Sequence, residues 1–220
     1  KHNACMITLP LGHVPRAVLP WFMGSLLAIA EHYSLLSGQM ICAELTAHWH
    51  ASGEVVQQEA VAQPFLKHLS DAQMCHVWGV RGDTDAAAYR VQTQLNENSK
   101  LGAVCAFFPE LNHNLLVGFT PAAGHAPAML LITDYCLPAL SLAAQSLVEV
   151  LARRGIALYK PALFGDTWLQ QVAYSLWWAD SVSYYIGCAR GHAIAATVLI
   201  DQLKQTFSRK VASNEEEPSS

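Results

Sequence analysis

Two side chains in this sequence are of the types that move protons together. Glu97 sits in NENSK and His113 in ELNHN, 16 residues further on. General acid–base chemistry uses such a carboxylate and imidazole because burial and neighbouring charges can tune both toward neutral pH. Asparagines flank each of them (Asn96 and Asn98, Asn112 and Asn114), so both sit in dense hydrogen-bonding sequence. Residue type alone leaves a plainer alternative open: a solvated glutamate near a helix end, and a surface histidine after a strand.

The remaining chemistry-bearing residues say less. His48 and His50 in AHWH are two apart and face different sides of a helix, so no metal site is expected. Neither GxGxxG nor GxxxxGK[ST] occurs, so no nucleotide fingerprint is present. Thr197 and Lys204, seven residues apart, fall on one face of the last predicted helix, where a lone lysine ordinarily faces water. Trp177, Trp178, Tyr184 and Tyr185 have helical spacing and read as core. RGD at Arg81–Asp83 reads as a turn.

These residues must be positioned by an apolar framework. Of 220 residues, 52% are hydrophobic and 14% charged, the composition of a chain that buries a sizeable core. The net charge of −4 offers no basic field for nucleic acid or an anionic membrane. Ala17–Ala30, the longest apolar candidate, is too short to span a bilayer and contains Pro20. Six cysteines are scattered without a CxxC pair, which predicts buried free thiols in a reducing cytoplasm.

The pattern of elements predicts an α/β fold. Helices are expected from Ala17, over Gln39–His50, and over the stretch SGEVVQQEAVAQPFLKHL. Continuous apolar runs at Met74–Val80, Ala103–Phe108, Ala128–Asp134 and IALYK read as buried strands. The helix TDAAAYRVQTQLNENSK starts at Thr84 or Asp85 as N-cap, and ALSLAAQSLVEVLARRG ends on Gly155. Two more helices close the chain. Strand–helix alternation with uninterrupted apolar strands predicts a parallel sheet covered on both faces, and ligands then bind beyond the carboxyl ends of strands. Both Glu97 and His113 are expected near such ends.

Four passages, PLGHVPRAVL, QLNENSK, PELNHNLLVGF and ADSVSYYIG…LIDQLKQTF, resemble the bifunctional phosphoglucose/phosphomannose isomerases, which are built from two sugar isomerase (SIS) domains. The resemblance covers nearly the whole chain to about Phe207. It implies a SIS-type, flavodoxin-like three-layer α/β/α fold with extra N- and C-terminal helices. Its domain reading gives linker helices over 1–66, a C-terminal SIS domain over 67–208 and a disordered tail over 209–220.

The implied activity is aldose–ketose isomerisation of glucose 6-phosphate and mannose 6-phosphate with fructose 6-phosphate through a cis-enediol(ate), without metal or organic cofactor. Glu97 is similar to the base that carries the proton between C1 and C2, and Arg16 to the arginine that stabilises the developing charge. His113 resembles the ring-opening group, supplied across a homodimer interface, and Lys204 the lysine that assists it. Thr197 resembles the small residue that makes room for the C2 epimer, and Asn96 and Asn112 are expected against the substrate. Leu115 and Phe119 stand where the family usually has glutamate and tryptophan. The family's first SIS domain, with its Gly- and Ser/Thr-rich phosphate loop, would precede CMITLP, so the chain is expected to be the C-terminal part of a longer enzyme. The alternative is a non-catalytic SIS module that binds a sugar phosphate or mediates dimerisation.

Overall fold

The computed structural model describes residues 6–35, 41–56, 59–69, 72–119, 127–156 and 158–215. The expected helix start at Gln39, Cys5 and the last five residues of the tail lie outside them.

Four described strands form one parallel sheet in the order β2–β1–β3–β4: β1 (Met74–Val80), β2 (Gly102–Phe108), β3 (Ala128–Leu130) and β4 (Leu158–Tyr159). The third strand stops at Leu130, short of the expected Asp134. Beyond it Leu131 still donates its N–H to Trp78 O, but Thr133 turns to Asp83 and leaves the ladder. Strand parity divides the core, because successive side chains point to opposite faces. Cys75, Val77, Ala103, Met129 and Leu131 pack with Phe65, Leu95, Tyr174 and Trp178 on one face. Trp78, Val80, Phe108, Leu130 and Ile132 pack with Ala144, Leu147 and Leu151 on the other. The result is the predicted three-layer α/β/α arrangement.

Helices α1 (Leu19–His32), α2 (Ile41–Val56) and α3 (Glu59–Leu69) precede the sheet. The next, α4 (Asp85–Asn98), returns from the carboxyl end of β1 to the amino end of β2. Thr84 holds the N-cap position of α4 but does not cap it. Its hydroxyl donates to Leu131 O at 2.7 Å and accepts from Val80 N at 3.0 Å, and so ties β1 to the chain beyond β3. Gly79 permits this close approach, since a Cβ there would lie 2.9 Å from Ala88 Cβ.

A four-residue turn, α5 (Leu115–Gly118), follows β2, and α6 (Pro138–Arg153) covers the second face. Gly155, at φ +70°, ends the α6 region as expected. The long α7 (Trp168–Ala189) packs on α4, α3 and α2. The last helix, α8, spans Val198–Glu215. Thr197 therefore precedes α8 rather than lying within it, and the helix continues into the segment expected as tail. Every described side chain from Val198 to Ala212 is exposed.

Of the free thiols, Cys75 and Cys136 are buried, Cys42 and Cys105 half-buried, and Cys188 exposed. No described helix is long and apolar enough to cross a membrane.

Candidate functional site

The topology separates the two proton-transfer candidates. Because α4 runs back across the sheet, Glu97 lies at the amino edge, beside the start of β2. His113 follows β2 and lies at the carboxyl edge. Seven strand residues, roughly 20 Å at the usual rise, part the two edges. The expectation that both sit near strand carboxyl ends holds for His113 and fails for Glu97. The helix that carries Glu97 connects two parallel strands and must reverse direction to do so.

At the amino edge a cluster forms around Arg16, which the short 3-10 turn Pro15–Ala17 delivers from the N-terminal segment. The guanidinium spends three of its donors in a fixed fork. Nη1 reaches Glu97 Oε2 at 3.1 Å, Nε reaches Asn98 Oδ1 at 2.8 Å, and Nη2 reaches Ile194 O at 2.9 Å. The Arg16 side chain is 8% exposed and that of Glu97 37%, so the cation is the fixed partner and the carboxylate has an open side. Lys100 brings a second cation. Its ammonium donates to the carbonyls of Glu97, Ile194 and Ala196. Burial lowers the affinity of Lys100 for its proton, with repulsion from Arg16 adding to this and Glu97 opposing it.

A supporting network lies beneath. Arg90 grips Asp180 through Nε and Nη2 at 2.9 and 2.8 Å and also donates to Arg16 O at 2.6 Å. Gln94 donates to Asp180 Oδ1 at 2.6 Å. Burial pushes the Asp180 carboxyl up, opposed by the bonds from Arg90 and Gln94. Asn98 passes the chain on by donating to Ser183 Oγ at 2.9 Å. Gly187 of α7 lets these parts meet, since a Cβ there would lie 2.5 Å from Asn98 O and would overlap Ile194. Alongside runs an open cleft of about 640 Å³, whose walls include Arg16, Asn98, Asp180, Ser181, Tyr184 and Ile194.

The other expected residues are distributed as follows. Asn96 turns its amide back to the sheet, accepting from Ala103 N at 2.8 Å and donating to Ala103 O at 3.4 Å, so both its polar atoms brace β2. Asn112 and His113 are exposed at the carboxyl edge, where Asn112 borders a small cavity against α6. Thr197 donates to Asp201 Oδ2 at 3.2 Å at the start of α8, and Lys204 is exposed about two turns further on. The structure thus brings Glu97 and Arg16 together, with Thr197 just beyond the tethered Ile194–Ala196 segment, and leaves His113 and Asn112 apart.

Asn98, Lys100, Arg90, Asp180 and Gly187 escaped the sequence reading. Two of them stand in the NENSK motif itself. Asp180 carried a usable signal, because an acid on a helix as apolar as α7 demands a buried partner.

The carboxyl edge has its own crevice of about 460 Å³, lined by Arg81, Asp83, Cys136 and Trp168, between β1 and β3 where the strand order reverses. Its floor is anionic. Asp83 accepts from Thr133 Oγ1, Thr133 N and Trp168 Nε1, and burial together with Asp83 raises the Cys136 thiol. A phosphate placed there would meet a buried carboxylate of like charge. Among the described residues no group of three His, Cys, Asp or Glu could hold a metal ion.

Residues 58–207 match the family model described as the bacterial phospho-glucose isomerase C-terminal SIS domain. The chain belongs to this SIS-domain family. No curated protein sequence matches it. Among solved structures, glucosamine-6-phosphate deaminase from Thermotoga maritima aligns at TM-score 0.60 and 12% identity, over 83% of this chain and 54% of its own. The C-terminal domain of glucosamine-fructose-6-phosphate aminotransferase from Francisella tularensis aligns at TM-score 0.55 and 16% identity, over 76% and 51%. These likenesses carry the SIS fold alone, and the chain spans about half the length of both structures.

Proposed function

We propose that this SIS domain supplies the proton-transfer half of an aldose–ketose isomerase that interconverts glucose 6-phosphate, and mannose 6-phosphate, with fructose 6-phosphate. The observation that carries this reading is the Arg16–Glu97 pair at 3.1 Å, whose arginine lines an open cleft. Glu97 takes the proton from C2 of the open-chain aldose and returns it to C1. The electron pair moves onto the C1 carbonyl oxygen to give a cis-enediolate, and passage of the O2 hydroxyl proton to O1 as C1 is protonated leaves the carbonyl at C2. Arg16 holds a fixed cation beside the carboxylate, so the site has positive charge in place for that oxyanion. A fixed donor aimed at developing charge is worth about 3–4 kcal/mol. Lys204 and His113 assist ring opening, Thr197 makes room at C2, and Asn112 contacts the sugar.

His113 cannot reach Glu97 of its own chain across the sheet, so this reading makes the active unit a homodimer in which His113 serves the neighbouring site. Exposed apolar side chains on α8, Leu199 at 80%, Leu203 at 69% and Phe207 at 66%, support assembly on the helix that also bears Lys204. The phosphate grip belongs to a second SIS domain, in keeping with the anionic crevice here.

The test is turnover of fructose 6-phosphate to glucose 6-phosphate in a coupled assay. Glu97→Gln and His113→Ala each abolish it, and mixing the two variants restores about a quarter of the sites if subunits exchange at random. Undiminished turnover in Glu97→Gln contradicts the isomerase reading, and no recovery on mixing contradicts the shared site. The second reading is a non-catalytic module that binds a sugar phosphate or mediates dimerisation; the exposed apolar side chains of α8 favour its dimerisation form, since Asp83 opposes a phosphate at the carboxyl edge.

A further inference from the structure

We propose that Lys100 is a positioning residue that clamps the approach to α8 and so fixes Thr197 and Lys204 relative to Glu97. This rests on the isomerase reading above. Lys100 has φ +52°, in the left-handed region, one residue beyond the C-cap Ser99 of α4. Glycine is the usual occupant of that position, and a residue with a Cβ costs about 1 kcal/mol or more there. The side chain makes up for the backbone by what it holds. Its ammonium donates to Ala196 O at 2.7 Å and Ile194 O at 3.3 Å, and it closes back on Glu97 O of its own helix. One cation therefore joins the end of the helix bearing the base to the segment that launches α8.

Within one chain, that segment is where the direction of α8 is set. The helix packs against no other described element through more than a stray contact, and its described side chains are exposed from Val198 to Ala212. Upstream, Arg16 holds Ile194 O at 2.9 Å, and His192 N donates to Gly187 O. Lys100 is the described side chain that reaches Ala196, the residue next to Thr197. Without it the hinge from Ala196 to Val198 is free to swing, and Lys204 swings with it.

The decisive variant is Lys100→Gly, because it relieves the backbone while removing the clamp. The proposal predicts an unchanged or raised Tm together with a fall in kcat of about tenfold or more, as small misplacements of reacting groups do, and little change in KM. Amide hydrogen exchange over Ile194–Lys204 accelerates about tenfold while exchange in α4 stays unchanged. With Lys204→Met already in place, Lys100→Gly costs little further, because both act through one group. Turnover within twofold of wild type, unaltered exchange in that segment, or fully additive losses would each overturn the proposal. Should the wild-type chain show no turnover by itself, the proton-transfer half depends on the second SIS domain, and the exchange measurement decides whether Lys100 holds α8.

Discussion

The two edges of the sheet carry similar residue types and use them in opposite ways. At the amino edge a buried arginine pairs with Glu97, a carboxylate whose side chain remains 37% exposed, and Lys100 holds the backbone carbonyl of the same residue. At the carboxyl edge the carboxylate, Asp83, is itself buried at 7% and saturated by Thr133 and Trp168, while the cation Arg81 lies over the Phe107 ring, 4.2 Å from its centroid. One edge fixes positive charge beside a reachable carboxylate. The other fixes a negative charge where no ligand is needed to satisfy it. An α/β crevice at the point of strand reversal is thus a place where ligands bind in general, and its charge decides whether it is used in a given chain.

Arg16→Met should break this contrast most sharply. It removes the donor proposed to face the enediolate and frees Glu97, Asn98 and Ile194 at once, so kcat should fall about 10²–10³-fold. Steady-state kinetics on wild type and variant check this. Gly187→Ala follows, since its methyl would press on Asn98 O and Ile194 where α4, α7 and the approach to α8 converge. Overpacking of this kind costs about 1–3 kcal/mol, visible in denaturant midpoints, and turnover should drop with it.

At the opposite edge Asp83→Asn should separate stability from activity. Loss of an acceptor for Thr133 or Trp168 costs about 1–3 kcal/mol by denaturation, while the turnover of the folded fraction stays at wild-type level. A large loss of turnover would mean that the two edges are not functionally distinct.

The smallest effect concerns the scaffold between them. Burial lowers the proton affinity of His68 and His76 below the ordinary imidazole value of 6.5. Below that value the unfolded chain binds protons that the folded chain resists, so stability is complete above pH 6.5 and declines as pH falls beneath it. Replacing both histidines with glutamine should flatten the decline in denaturation midpoints measured between pH 7 and about pH 5.

Much of the fold was legible in the sequence. Val77, Met129 and Leu131 belong to uninterrupted apolar runs because both faces of a parallel sheet are covered, and such runs are hard to read as anything else. The end of β3 was not legible, since Leu131 and Ile132 continue the apolar run after the strand stops and the Thr133–Asp83 bond, 50 residues apart in sequence, diverts it. Nor was the amino-edge position of Glu97 read correctly. Motif spacing says that Glu97 and His113 flank a strand, whereas only connectivity says that flanking residues lie at opposite ends of it. The Lys100 clamp was invisible for a related reason. Its partners are backbone carbonyls 94 and 96 residues away, which leave no mark of residue type. Asp180 was the exception, a lone acid on an apolar helix whose partner Arg90 could have been sought.

Solvent deuterium exchange into the sugar tests the central claim, that proton transfer belongs to the amino edge, most directly. Wild-type protein incubated with fructose 6-phosphate in deuterated water should incorporate deuterium at C1 and, on isomerisation, at C2, as read by NMR. Glu97→Gln, folded with an unchanged Tm, should incorporate none above background. Incorporation at the wild-type rate in Glu97→Gln would place the base elsewhere and contradict the account.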